Sequence, residues 1–359
     1  MGRALGVRDY GAGEPGRWIA TVNPEAVPCR PMSPVVVAGH LCLDIIPALP
    51  TLAGFEPGRL VEAGKVTLAT GGAVSNVGGS LHALGAPVRL VGKVGDDPFA
   101  DVVRRLLNER ELGERLTVAP GESTSYTVVI NIVGQDRMFL HHPGCNDTFG
   151  PEDVPAESLE GAGHLHFGYP PLMARMYGDA GETLAATLGQ AKAAGLTVSL
   201  DTSLPDREAA SGRAPWTEIL TKALAQTDVF LPSDDEIAFM LGGEARPDED
   251  RVRELARWCL DRGPKVVGIK RGDRGLYLTD GAVEVWEPCR RVTVAGTTGS
   301  GDATIAGFLF GWLQGRPLAE CARSATATGA ACCERPDATS GVPSWSILSA
   351  RLAAGWETC

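Results

Sequence analysis

From residue 33 onward, short β-branched runs alternate with longer stretches whose apolar positions recur at helical spacing. The runs Val35–Gly39, Val88–Val94, Leu165–Phe167, Leu196–Leu200, Asp228–Leu231 and Val266–Ile269 read as strands. Between them, Val77–Leu84, Phe99–Arg110, Tyr177–Ala194, Trp216–Ala225 and Arg251–Arg262 read as helices. This order predicts a three-layer α/β/α domain whose central sheet is mostly parallel, with helices on both faces. Two segments break the rhythm. Leu60–Ala69 and Ser125–His141 alternate like two-sided strands, the second around a Gly134-Gln135-Asp136 turn. They predict a small antiparallel sheet, drawn from about residues 44–71 and 122–146, that projects from the body as a lid. Residues 1–32 carry Gly11, Gly13, Pro15, Gly16, Pro24, Pro28 and Pro31 without a sustained apolar period. They read as a poorly ordered extension, with Met32 a second candidate start, and residues 33–359 as one domain.

Composition narrows the function classes. The 359 residues are 44% hydrophobic and 21% charged, ordinary for a globular chain that buries a full core. Thirty-three Lys and Arg against 44 Asp and Glu give a net charge of −11, which argues against a nucleic-acid partner. No apolar run reaches the roughly 18 residues a membrane helix needs, so the expectation is a soluble, cytoplasmic protein with no membrane partner. The nine cysteines are odd in number and include no Cys-x-x-Cys pair, so neither a disulfide framework nor a zinc site is expected. His164-x-His166 has a metal-ligand spacing, but strand alternation accounts for it. The pair His141–His142 reads as part of a loop.

Candidate chemistry concentrates near the C-terminal end. In Val294–Phe308 the turn Thr297-Thr298-Gly299-Ser300-Gly301-Asp302 precedes Ile305, Phe308, Leu309 and Trp312, the face of a helix. A glycine-rich turn at a helix N-terminus collects N–H groups and the positive dipole end, which favours an anion. An Asp there repels a phosphate unless it handles a proton, so Asp302 reads as a general base for a hydroxyl that attacks a phosphoryl group. The alternative is an N-cap Asp after a flexible turn. A second cluster, Gly71-Gly72-Ala73-Val74-Ser75-Asn76, opens a helix. It can lay a polar ligand against main-chain N–H groups, or serve only close helix packing.

Gly39-His40-Leu41-Cys42-Leu43-Asp44, Gly71-Gly72-x-x-x-Asn76, Leu84-Gly85, Val91–Ala100 and Thr297–Asp302 occur in that order. Together they resemble the ribokinase or PfkB family of ATP-dependent small-molecule kinases, from about residue 34 to about 350. The resemblance implies a ribokinase-like fold, Mg²⁺ and ATP as cofactors, and transfer of the γ-phosphoryl of ATP to a hydroxyl of a sugar. It implies Asp302 as catalytic base and Gly299, Ser300 and Gly301 as the anion hole. It places Asp44, Gly71, Gly72 and Asn76 on the substrate, and Tyr169, after a strand whose end should face the cleft, beside it. Leu231-Pro232-Ser233-Asp234-Asp235-Glu236 is similar to the family's Pro-Asn-x-x-Glu, so Ser233 and Glu236 fall at the nucleotide, with Glu236 reaching Mg²⁺ through water. Lys270, Gly272, Gly275 and Thr297 are implied beside the nucleotide too.

Three positions depart from the family's pattern. Gly296 replaces the signature's first acid, a position associated with a monovalent-cation site, which leaves that cation open. Ser233 and Ser203 stand where the family has or often has Asn. A charged substrate would call for Arg or Lys, with Arg137 and Arg175 the candidates. Sugar is the commoner family substrate and nucleoside the runner-up, and a small open lid sheet suggests a homodimer. A dehydrogenase is a poor fit, because Gly39-His40-Leu41-Cys42 after the first strand lacks G-x-G-x-x-G. A non-catalytic sugar-binding protein of the same fold is the other alternative.

Overall fold

The computed structural model describes residues 32–49, 56–112, 116–130 and 138–359. The N-terminal extension before Met32, the turn at 134–136 and Arg137 lie outside the described residues. Strands are numbered in chain order: β1 Val35–Gly39, β2 Cys42–Pro47, β3 Val66–Gly71, β4 Val88–Gly95, β5 Leu116–Ala119, β6 Tyr126–Ile130 and β7 Met138–His142. They continue with β8 His164–Gly168, β9 Thr197–Leu200, β10 Val229–Phe230, β11 Val266–Lys270, β12 Leu276–Thr279 and β13 Glu284–Glu287. Among the described residues, the main sheet has nine strands in the order β13-β12-β11-β10-β9-β8-β1-β4-β5. Pairing is parallel from β5 to β11 and antiparallel for β12 and β13.

Strand β1 shows why this sheet must sit in the middle. All of its apolar residues are inaccessible, but Val35 and Val37 join one core while Val36 and Ala38 join the other. The period-2 alternation of a strand sends successive side chains to opposite faces, so both faces are covered. One face receives the helices Gly72–Leu84, Ser300–Trp312 and Leu318–Cys332; the other receives Glu182–Ala193, Trp216–Leu224 and Glu249–Leu260. Strand β1 lies between β4 and β8, where the chain order changes direction, and such switch points open a crevice at the carboxyl ends of the strands.

The second sheet, β3-β2-β6-β7, springs from that end. Its two outer pairings are antiparallel, but its central pair β2–β6 is parallel, which corrects the expectation of an antiparallel sheet. The cause is the exit direction. β2 follows β1 and β6 follows β5, and these two main-sheet strands run the same way. Other elements differ from the sequence reading as well. Leu60–Lys65 is not strand, because β2 offers partners only as far as Pro47, opposite Val66. The expected helix Tyr177–Ala194 is interrupted around Ala180 and Gly181, both at positive φ, so the long helix runs only Glu182–Ala193. His141 and His142 close strand β7 rather than lying in a loop.

Candidate active site

The carboxyl ends of the parallel strands carry the polar side chains in sequence. His40 follows β1, Tyr169 follows β8, Asp201 follows β9, Ser233 lies just beyond β10, and Lys270 ends β11. Facing them is the start of the helix Ser300–Trp312. Gly299 is its N-cap at φ +73°, a left-handed conformation that glycine adopts without Cβ strain. Asp302 is therefore the third helical residue, which removes the N-cap reading. Its carboxylate is 3% exposed and meets side chains from two other elements. Asn76 Nδ2 donates to Oδ2 at 3.0 Å, and the Tyr169 hydroxyl reaches Oδ1 at 2.7 Å and Oδ2 at 2.8 Å. The helix Gly72–Leu84 that carries Asn76 packs directly against Ser300–Trp312.

Burial pushes the Asp302 carboxyl up, against the Tyr169 hydrogen bond, the Lys270 charge and the Asn76 hydrogen bond, which pull it down. Tyr169 holds a positive φ of 64°, which is uncommon for a residue with a Cβ, and its hydroxyl meets this carboxylate. Burial, then the Asp302 charge, raises its phenol well above the ordinary range, so it stays a donor.

The two glycines before Asn76 bring backbone close to side chains. A Cβ on Gly71 would fall 2.3 Å from Asp44 Oδ2, and one on Gly72 2.6 Å from His40 Nδ1. Asp44, on β2 of the small sheet, is thereby set against the start of the Asn76 helix. Burial pushes its carboxyl up to about 6, while a weak bond from the Cys42 thiol, 3.4 Å from Oδ1, lowers it. Asn76, Tyr169 and Asp302 are thus bonded together, and Asp44 lies against Gly71 at the start of the Asn76 helix.

The other predicted residues lie along β10 and β11. Ser233 caps the helix Asp234–Met240, and Glu236 Oε2 accepts from Ser233 N at 2.7 Å and Thr202 Oγ1 at 2.9 Å. Part of their sequence signal is therefore a capping box. Lys270 reaches towards Gly301: a Cβ there would be 3.8 Å from its Nζ. Gly272 and Gly275 shape the turn from β11 into β12, where the Arg271 N–H donates to Gly275 O at 2.8 Å. Ser300 N and Oγ both turn back to Thr297 O, at 3.3 and 3.0 Å. Gly296 is packed against the backbone of Arg335 and Pro336, and a Cβ would meet Pro336 Cα at 2.9 Å. The turn accordingly has no room for the acid of the family signature unless that backbone shifts.

His164 and His166 are core histidines. His164 binds Thr197 and Ser199 hydroxyls at 2.8 and 2.7 Å, and His166 shares the Ser199 hydroxyl at 2.8 Å. Arg175 spends its guanidinium on Thr148 O and Glu152. Sequence reasoning gave no role to Asp201, which is fully buried, with His166 Nε2 3.7 Å from its Oδ1. Burial raises its carboxyl well above the usual range; Lys270 opposes this, and Asp302 and Glu236 add to it. Its signal was its place after a strand end.

Comparison with known proteins shows the family and the fold. The sequence profile of the pfkB family carbohydrate kinases matches residues 32–345. An ATP-dependent ribose-1-phosphate kinase of Halopiger xanaduensis is 27% identical over 332 residues, covering 90% of this chain and 99% of the relative. A cytidine kinase of Thermococcus kodakarensis is 27% identical over 297 residues, 81% of this chain and 93% of the relative. The fold matches that of Arabidopsis thaliana ribokinase complexed with ribose and ATP, with a TM-score of 0.72 and 21% identity over 89% of this chain and 99% of that one.

Proposed function

Because this chain belongs to the pfkB family of carbohydrate kinases, we propose that it moves the γ-phosphoryl of ATP to a hydroxyl of a small sugar or nucleoside, with Asp302 as general base. The observation that carries this reading is the Asp302 carboxylate itself: buried, at a helix N-terminus, and held by Tyr169 and Asn76. As the acceptor oxygen bonds to the γ-phosphorus, its proton passes to Asp302. The bond from that phosphorus to the bridging oxygen breaks, and ADP leaves with the electron pair. The developing negative charge lies at the N-terminus of Ser300–Trp312, where Gly299, Ser300 and Gly301 present backbone dipoles and Lys270 supplies a positive charge. Asp44, Gly71, Gly72 and Asn76 orient the acceptor, and Thr297, Ser233, Gly272 and Gly275 border the nucleotide.

Asp201, Asp302 and Glu236 stand in one another's field with Lys270 as the cation that acts on both aspartates, an excess of negative charge that fits Mg²⁺. Glu236 would hold the ion through water, because its Oε2 already accepts from Ser233 N and Thr202 Oγ1. When bound, Mg²⁺ neutralises phosphate charge. The small sheet is the lid. Its edge strand β7 exposes Met138, Phe139 and Leu140 at 44, 54 and 60%, and two copies meet there. Light scattering is expected to give a dimer mass that Leu140→Glu reduces to a monomer; a wild-type monomer would remove this contact.

The reading is tested by ATP turnover with a panel of sugars and nucleosides, followed across pH. Tyr169→Phe removes the first influence that opposes burial at Asp302, so the carboxyl rises further. Asp302 works ionised, so the acid limb of the kcat profile is expected to move to higher pH. An unmoved limb would show that the Tyr169 hydroxyl does not set the ionisation of the base.

A further inference from the structure

Around Asp302, two buried groups lack hydrogen-bond partners: both ring nitrogens of His40 and Oδ1 of Asn76. Asp201 lies on the Lys270 and Glu236 side. His40 and Asn76 lie on the other side, towards Asp44 and the small sheet. His40 is 2% exposed, and its backbone is tied down at both ends: its N–H donates to Gly168 O, and its carbonyl accepts from Val74 N, both at 3.2 Å. The ring is confined by Gly72, by the His141 ring 5.2 Å away and by the Tyr169 ring 6.1 Å away. Neither ring nitrogen is satisfied by another protein group, so both are available to a ligand's donor and acceptor.

His141 comes from β7 and is oriented by its neighbours. Its Nδ1 meets Thr127 Oγ1 at 3.0 Å, and Thr127 reaches the Cys42 thiol that in turn points at Asp44. Burial, with the neighbouring His141, takes His40 down to about 3, and burial with His142 lowers His141. Both rings are therefore uncharged near neutral pH. A neutral imidazole offers one donor and one acceptor, the complement of a hydroxyl, and offers no charge to a phosphate. Among the described residues, Arg110 bonds Ser75, and Arg175 bonds Glu152 and Thr148.

The geometry points to His40, backed by His141, as the specificity determinant of the acceptor site: it reads the non-reacting hydroxyls of an uncharged acceptor and selects it over its phosphate ester. This rests on the kinase reading above and sharpens it. The shared chemistry is a hydroxyl-bearing neutral ring, which a free sugar or the ribose of a nucleoside can supply.

The test is ATP-dependent phosphorylation of three pairs: ribose and ribose 1-phosphate, fructose and fructose 1-phosphate, cytidine and cytidine monophosphate. Wild type is expected to favour the uncharged member of at least one pair by tenfold or more in kcat/KM, and which pair responds separates sugar from nucleoside. His40→Leu fills the space without an unpaired polar atom. It is expected to raise KM by about three- to tenfold for each hydrogen bond lost, with the loss falling on KM rather than kcat. Its melting temperature without substrate should be equal to or above wild type, and His40→Asn should recover part of the KM. A preference for the phosphate esters would overturn this inference and leave the kinase reading intact. A lower melting temperature with unchanged KM in His40→Leu would make His40 structural and overturn it too. If none of the six compounds is turned over or raises the melting temperature, the kinase reading falls and this inference with it.

Discussion

Asp302→Asn is expected to lower turnover by about 10²- to 10⁴-fold, the usual contribution of a positioned general base. The amide keeps the shape but cannot accept a proton at neutral pH. The site should tolerate the change. The carboxylate now accepts from Tyr169 and from Asn76 Nδ2, and an amide offers one acceptor oxygen instead of two. The Asn76 side chain can turn its unpartnered Oδ1 towards the new NH₂ group, so the helix pair stays packed. Affinity for ATP should be unchanged or slightly tighter, because a negative charge beside the phosphates is gone. Steady-state kinetics with the acceptor found in the substrate panel, and a melting curve for the variant, separate these effects. Turnover near wild type in a folded Asp302→Asn would overturn the proposed mechanism.

The sequence made the outer frame of this site legible and left its centre hidden. Local pattern suffices where a residue's role is set by its neighbours in the chain. Val35 to Ala38 announce a strand covered on both faces, and Thr297 to Asp302 announce an anion-binding turn, because both signals repeat within a few positions. The helix that carries Asn76 was read from Val77 but begins at Gly72. Gly72, Gly78 and Gly79 blur its period, and it is buried nearly all round, so no polar face marks its start. Strand β2 was read as motif residues only, since its partners β3 and β6 lie far away in the chain.

The pairings that define the centre are non-local. Asn76 and Asp302 are 226 residues apart and Tyr169 and Asp302 are 133 apart, distances over which spacing carries no information. Tyr169 was expected beside the substrate, and spacing gave no sign that its hydroxyl also bonds Asp302. His40 was quoted as part of a motif without a role, and only the absence of partners for its ring distinguishes it. The family resemblance reached the residues that match a signature, which are backbone-shaping glycines and acids. His40, to which the resemblance gave no role, and Gly296, which departs from the signature, needed the three-dimensional neighbours to acquire meaning.

Gly299→Ala is expected to damage both stability and turnover, and Gly315→Ala is its internal control. Both glycines hold φ +73° and flank the same helix, one at its start and one just past its end. A Cβ at Gly315 meets nothing within 4 Å, so that variant bears only the left-handed strain, roughly 1–2 kcal/mol. At Gly299 the same atom would lie 2.5 Å from both Cβ and O of Ala338 and 2.7 Å from its Cα. Backbone cannot swing aside as a long side chain would, so overpacking of about 1–3 kcal/mol is added. The clash is relieved by displacement of the first helical turn, and that turn carries Ser300, Gly301 and Asp302. A misplacement of about 1 Å at reacting groups can cost on the order of 10²-fold in rate. Gly299→Ala should therefore melt several degrees below Gly315→Ala and lose about 10²-fold in kcat/KM, while Gly315→Ala stays within a fewfold of wild type. Paired melting curves and kinetics decide it: if the two variants match in both, the packing of Gly299 on Ala338 does not position the anion site, and the helix start owes its place to Asn76 and Tyr169 alone.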